Sequence, residues 1–290
     1  MRDPRSSARA LQRGGGGPLT THPIDFADEA LEVALSAARE AGELLMGYLG
    51  KLDASRIKHK SSIRDLVTEA DLAAERLLVA RLRQAFPEHA IESEEETRDA
   101  ADGRPRWFLD PLDGTVNFVH GLPPFAVSMG LYVDGQAQVG VVHAPRLQET
   151  FHAKRGGGAF LETPSGPLQR LRVSPTEQLS EAILATGFPY RRGELEHDNL
   201  ANFNELFYAV RGLRRMGSAA IDLAYTAAGR YDAYWELHLA PHDVAAGVLL
   251  VREAGGLVSD FLGGEDWLRG GSIIAGGAPL HALLRARLRG

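Results

Sequence analysis

Two aspartates, Asp110 and Asp113, stand three residues apart at the end of an apolar run, in Trp107-Phe108-Leu109-Asp110-Pro111-Leu112-Asp113-Gly114-Thr115-Val116-Asn117-Phe118. Like charges this close repel, and both stay ionised only where a cation lies between them. Carboxylate and carbonyl oxygens are hard ligands that suit Mg2+. Pro111 fixes the backbone between strand and turn, which lets the Leu112 carbonyl point inward. Gly114 and Thr115 would then present amides at a helix start, a place that holds phosphate. The chemistry on offer is phosphate-ester hydrolysis beside metal ions. Taken alone, the pair equally fits a solvated turn or a helix cap.

Three further stretches supply acids. Glu94 and Glu95 end a short segment that begins at Ala90-Ile91. Asp71 lies in the first turn of a helix whose start, Thr68-Glu69-Ala70-Asp71, reads as a capping box with Thr68 as N-cap. Pro241-His242-Asp243-Val244-Ala245-Ala246-Gly247 opens an otherwise apolar helix with an acid. Each has a plain structural alternative: solvated surface for the glutamates, capping of the helix dipole for Asp71 and Asp243.

The elements that must position these residues are legible in outline. Apolar residues at helical spacing predict a helix over 25–49, stopped at Gly50, and a second from Thr68 to Phe86, ended before Pro87. Between them runs a basic loop, Lys58-His59-Lys60-Ser61-Ser62. Residues 106–110 read as a buried strand. Runs over 125–133 and 136–144 are joined by Asp134-Gly135, a type I′ hairpin signal. A strand over 149–153 leads into Gly156-Gly157-Gly158. The first half is therefore α+β with antiparallel pairing. The second half is helix-rich: an alanine-rich helix over 218–228, a helix over 243–253 ended by Gly255-Gly256, short strands over 257–260 and 272–275, and a closing helix over 279–288.

Composition bounds the rest. The chain has 290 residues, is 44% hydrophobic and carries a net charge of −6. That suffices for a sizeable core and lacks the basic face of a nucleic-acid binder. An acidic enzyme acting on anionic substrates must import positive charge, which metal ions do. With no cysteine, disulfides, thiolate nucleophiles and Cys-zinc sites are excluded. No apolar run reaches the ~20 residues of a membrane helix, and a cytoplasmic location is expected. Residues 1–23, with Gly14-Gly15-Gly16-Gly17-Pro18, read as a disordered extension without the apolar core of a secretory signal.

Read together, these stretches resemble the inositol monophosphatase family, within the lithium-sensitive, Mg2+-dependent sugar phosphatases. The resemblance is carried by Lys60-Ser61-Ser62, Asp65-Leu66-Val67-Thr68-Glu69-Ala70-Asp71, Glu94-Glu95, Asp110 to Phe118, Gly187-Phe188-Pro189, Gly217-Ser218-Ala219-Ala220, Trp235-Glu236 and Asp243 to Gly247. It runs from about Asp25 to the C-terminus. It implies an alternating α-β-α-β-α sandwich, with residues 24–175 as an α+β metal-binding half, 176–290 as an α/β substrate-binding half, and the site between them.

The resemblance also implies roles. Glu94, Asp110 and the Leu112 carbonyl hold the first Mg2+; Asp110, Asp113 and Asp243 hold the second; Glu94 also faces a third, so the cofactor is two or three ions. Glu95 supports the site rather than ligating it. Thr115 bonds Asp71, and that pair with Glu94 positions or deprotonates the attacking water, under a loop carrying Lys60. Gly114 and Thr115 amides hold the phosphate. Asp113, Glu236 and the Ala219 backbone contact the substrate, inositol 1-phosphate or a similar polyol phosphate. Fructose 1,6-bisphosphate, histidinol phosphate, NADP and 3′-phosphoadenosine nucleotides are alternatives that share the metal motif. A further alternative is a regulatory binding module in transcription or ribosome assembly. A homodimer is expected. Arg211, Arg214 and Arg215 cluster before Gly217 and read as a dimer or subdomain contact rather than an RNA patch. Two departures stand out: His242, where many relatives have tryptophan, and Glu92, whose extra charge leaves the Glu94-Glu95 register open by one residue.

Overall fold

The computed structural model describes residues 26–52, 57–60, 66–100 and 102–290. The expected extension over 1–23 lies outside the described residues, as do Ser61, Ser62 and Asp65. Helix α1 (Phe26–Tyr48) buries Ala30, Ala34, Ala37, Ala38 and Ala41, a face thin enough for close approach. Gly50 follows it at φ +72°. Strands β1 (Lys58–His59) and β2 (Leu66–Val67) pair antiparallel. Helix α2 (Glu69–Ala85) starts at the expected capping box: Ala70 N donates to the Thr68 hydroxyl, and Thr68 N donates to Asp71.

A seven-stranded sheet follows, built from β3 (Ala90–Ser93), β4 (Arg106–Asp113), β5 (Ala126–Val133), β6 (Gln136–Ala144), β7 (Glu149–Lys154), β8 (Gly158–Glu162) and β9 (Gln169–Arg170) in that order. Only β3 and β4 pair in parallel. Asp134 and Gly135 both have positive φ, as the predicted hairpin turn requires. β4 runs beyond the expected end at Asp110. Its register with β5 shifts between Asp110 and Asp113, and the strand then turns into the short helix α3 (Thr115–Val119).

The second sheet comprises β10 (Ile183–Thr186), β11 (Gly212–Arg214), β12 (Ala233–Leu237), β13 (Leu257–Ser259) and β14 (Ser272–Gly276), in the order β11-β10-β12-β14-β13. β10 is parallel to both β11 and β12. These three strands escaped sequence reading because they are short and largely apolar, with no two-residue alternation to mark them. The accompanying helices are α4 (Leu200–Phe207), α5 (Ala219–Ala227), α6 (Pro241–Glu253) and α7 (Ala278–Arg285).

The layers alternate. α1 and α2 cover one face of the seven-stranded sheet. α5 and α6 fill the space between the two sheets, and α4 and α7 pack beyond the second. The fold is the expected α-β-α-β-α sandwich. α6 sits against sheet backbone: a Cβ on Gly140 would lie 2.7 Å from the Ala246 carbonyl oxygen, and one on Gly130 2.8 Å from Ala245 Cβ. Among the described residues no helix is long and apolar enough to cross a membrane.

Candidate metal-dependent active site

The end of β4 builds the centre of the site. Leu112 N donates to Asp110 Oδ1 at 3.0 Å, closing a turn across Pro111. Gly114 takes φ +91°, and a Cβ there would meet the Pro124 carbonyl at 2.8 Å, so only glycine fits the corner into α3. The Thr115 hydroxyl then lies 3.0 Å from Asp71 Oδ1 and 3.1 Å from the Leu112 carbonyl. Asp71 thus both caps α2 and reaches Thr115: its Oδ2 accepts from Thr68 N at 2.9 Å. Asn117 ties α3 to the segment before α5, donating to the Pro124 and Met216 carbonyls at 2.6 and 2.8 Å.

The Glu94-Glu95 loop hangs on a residue that sequence reading missed. Glu75, buried in α2, accepts from the Ser93 hydroxyl and from the backbone amides of Glu95, Glu96 and Thr97 at 2.7–3.1 Å. Lys60 Nζ bonds Glu94 at 2.7 Å and Glu95 at 2.5 Å. Glu92 instead pairs with Arg269 at 2.8 Å, away from this contact. Of these three acids, Glu94 lines the cleft described below.

The opposite wall comes from α5, β12 and α6. Asp113 Oδ2 accepts from the Ser218 hydroxyl at 2.6 Å and from Ala220 N at 2.7 Å. Asp243, expected to begin its helix, is the third residue of α6, because Pro241 takes the first position, where its missing N–H costs nothing. Its Oδ2 accepts from Ala240 N at 2.6 Å. Glu94, Asp113, Glu236 and Asp243 line one cleft of about 210 Å³, together with Ala219, His242, Tyr190 and Arg215. Tyr234 donates to Glu236 at 2.6 Å. Arg215 also lines the cleft. Asp222, also unforeseen, is buried in α5, with Oδ1 lacking a hydrogen-bond partner among the described residues.

Burial and crowding of like charge dominate the electrostatics. Burial, then Glu94, Asp113 and Asp243, push the Asp110 carboxyl well above the usual range. Burial and Asp243 lift Asp113 to about 7 against the bonds from Ser218 and Ala220. Burial raises Asp71 and Glu236 to about 6 and about 7. Glu95 reaches about 7, by burial and then by Glu94. Burial also acts upward on Glu94, but His242 and Lys60 outweigh it and hold it below the usual range. Because burial pushes the His242 imidazole down, towards its neutral form, Lys60 is the cation credited here. His242 Nε2 stands 3.8 Å from Asp243 Oδ1 and lines the cleft.

Among the described residues, no three of these side chains close on one point as a formed metal site does. The carboxylates instead hold protein donors: Lys60, Ser218 and the amides of Ala220 and Ala240. Still, the donor set is all hard oxygen, and its centre is a buried acid kept from ionising by its burial and by three other acids. A divalent cation removes that repulsion, and Mg2+ fits these residues in charge and ligand type.

The sequence matches the inositol monophosphatase family over residues 27–289. A Pseudomonas aeruginosa protein named Nus factor SuhB is 48% identical over 85% of this chain and 90% of its own. A Mesorhizobium japonicum inositol-1-monophosphatase is 42% identical over 88% and 95%. The crystal structure of the extragenic suppressor protein suhB from Bartonella henselae superposes with a TM-score of 0.81 at 39% identity, covering 90% of this chain and 98% of that one. With a match this long and relatives this similar, the chain belongs to the inositol monophosphatase family.

Proposed function

We propose that the protein is a Mg2+-dependent phosphomonoesterase acting on inositol 1-phosphate or a similar polyol phosphate. The observation that supports this most is that Glu94, Asp113 and Asp243 line one cleft and repel the buried Asp110 carboxyl, a crowding of acids that cations relieve. Glu94, Asp110 and the Leu112 carbonyl would hold one ion, and Asp110, Asp113 and Asp243 a second. Bound Mg2+ supplies Lewis acidity and neutralises charge on the phosphoryl oxygens.

The chain's own residues do the rest. Thr115, bonded to Asp71, positions the attacking water with Glu94. An Asp71 carboxyl near 6 is suited to taking a proton close to neutrality. The Gly114 and Thr115 amides hold the phosphate, and Lys60 adds positive charge at the cleft mouth. Asp113, Glu236 and the Ala219 backbone accept hydrogen bonds from substrate hydroxyls, the pairing a polyol requires. The halves 24–175 and 176–290 act as one catalytic unit in a cytoplasmic homodimer.

Phosphate release from inositol 1-phosphate, fructose 1,6-bisphosphate, histidinol phosphate, NADP and 3′-phosphoadenosine 5′-phosphate, each with Mg2+ and with chelator, tests this. Turnover of the inositol ester that vanishes with chelator is expected. Preference for another ester replaces the substrate and keeps the metal chemistry. The name Nus factor borne by the Pseudomonas relative favours a second reading, a binding partner in transcription whose turnover is incidental. Folded protein that hydrolyses none of the esters but captures RNA polymerase factors from extract would put that reading first.

A further inference from the structure

His238 has a strained backbone beside the cleft. It follows β12 directly, at the joint between the strand that carries Glu236 and the helix that carries Asp243. Its φ is +62°, in the left-handed region that residues with a Cβ rarely enter. Such a conformation persists only where the surroundings fix it. Here Leu239 N donates to the Gly271 carbonyl at 3.1 Å, and a Cβ on Gly271 would come within 3.5 Å of His238 Cα. The imidazole lines the cleft, and its Nε2 donates to the His197 carbonyl at 2.6 Å.

That bond pins a loop. Residues 187–199 link β10 to α4, and Asn199 draws the two ends together, donating to the Thr186 hydroxyl at 2.9 Å and to the Gly187 carbonyl at 2.7 Å. Within the loop, Arg192 N donates to the Pro189 carbonyl and Arg191 pairs with Glu194, each at 3.1 Å. Phe188 adds a ring contact with Phe203 of α4. Among the described residues, the bond from His238 is the one hydrogen bond or ion pair that joins residues 188–197 to another element. The start of the loop lies on the site. A Cβ on Gly187 would fall 2.1 Å from both Glu236 carboxylate oxygens, and Phe188, Pro189 and Tyr190 line the cleft. Tyr190 is near enough to the cleft acids that burial first, and then Asp113, Glu94, Asp243 and Asp110, keep its phenol protonated.

We propose that His238 is a positioning residue: its imidazole clasps residues 188–197 over Glu236, and the Phe188–Tyr190 wall held there selects a polyol as the alcohol part of the substrate. The proposal rests on the phosphatase reading. With its ends tied by Asn199, the loop keeps one freedom, to swing away from the cleft, and the His238 bond opposes it. A closed wall excludes water from Glu236, so substrate hydroxyls meet its carboxylate without competition. A site built to bond hydroxyls discriminates against an ester that lacks them. The left-handed turn at His238 is what brings the ring to the loop.

The test compares kcat/KM for inositol 1-phosphate and for 4-nitrophenyl phosphate, whose alcohol part offers no other hydroxyl, with Mg2+, in the wild type, His238→Asn and His238→Gln. Asparagine tolerates the left-handed backbone but is too short to reach His197, whereas glutamine keeps an N–H donor at similar reach. The inositol-to-aryl ratio is expected to fall about fivefold or more in His238→Asn, through KM rather than kcat, and to stay within about twofold of wild type in His238→Gln. The ratio is independent of the fraction folded, so lost stability alone does not move it. A ratio unchanged within about twofold in His238→Asn overturns the selective role and leaves the phosphatase reading standing. Trypsin cleavage after Arg191 or Arg192, mapped by mass spectrometry on the folded protein, reads the clasp without turnover. It is expected to be about fivefold or more faster in His238→Asn and restored in His238→Gln; equal cleavage overturns the clasp. If the wild type hydrolyses neither ester, the phosphatase reading fails, and cleavage alone decides the clasp by the same two outcomes.

Discussion

Single residues here do two jobs at once. Asp71 caps α2 and bonds Thr115, so one carboxylate makes both contacts. Asp113 is held by Ser218 and Ala220 and also lines the cleft. Replacing it by asparagine is expected to lower turnover at least ~100-fold while the circular dichroism melt stays within a few degrees; normal turnover would show that the metal assignment is wrong. Glu75 supports Glu94 at one remove. Glu75→Ala leaves up to four donors without their acceptor, costs roughly 2–4 kcal/mol and raises the Mg2+ concentration needed for half-maximal activity. A melt and a Mg2+ titration check both effects, and an unchanged titration would free Glu94 from its anchor. The aspartates of the 110–115 run were legible because two acids, a proline and a Gly-Thr pair stand together in one short stretch. Glu75 was not, because its donors lie at Ser93 and at residues 95–97. That Arg215 lines the cleft was not legible, because the chain shows its charge but not the direction it faces.

At the scale of elements, the site depends on how closely α6 meets the sheet. The Asp243 carboxylate rides on the first turn of a helix whose Ala245 and Ala246 touch β5 and β6 with no side chain between. Gly140→Ala would press a methyl onto the Ala246 carbonyl, which is backbone and cannot swing aside. We expect a loss of roughly 1–3 kcal/mol and a melting temperature lower by several degrees. The shift of α6 should also weaken Mg2+ activation, because Asp243 moves with it. A variant that melts like wild type would mean the sheet bends to accept the methyl. Helices α1, α2, α5, α6 and α7, the Thr68 cap and the 134–135 hairpin could be read locally, since each announces itself within a few residues, whereas α4 was not foreseen. The parallel strands β10, β11 and β12 could not, because their pairing spans 183 to 237 and each is too short to show a period.

For the whole molecule, buried acids set the response to pH. The Asp113, Glu95 and Glu236 carboxyls stand near 7 in the fold and near 4 when unfolded, so in between the native state binds more protons. Their contribution to stability is therefore full below the unfolded value and is lost as pH rises through 7. Buried histidines act in the opposite sense: His143, lowered to about 4 by burial first and then by Arg39, costs stability as pH falls below about 6.5. Above that value only the acids remain. The metal-free protein should thus melt lower at pH 8.5 than at pH 6.5, by up to ~1.4 kcal/mol per pH unit for each proton. Saturating Mg2+ should flatten the curve by binding the native state alone. A flat metal-free profile would refute this.

The position of α6 between the sheets has a consequence during synthesis. The first sheet is complete at Arg170, yet the helix that covers its second face ends at Glu253. A ribosome needs on the order of ten seconds to make the intervening chain. Through that interval the nascent protein carries an apolar sheet face without its cover. The acid at the head of α6 therefore arrives together with the shield, so the last of the proposed ligands and the cover of the sheet are made in one step.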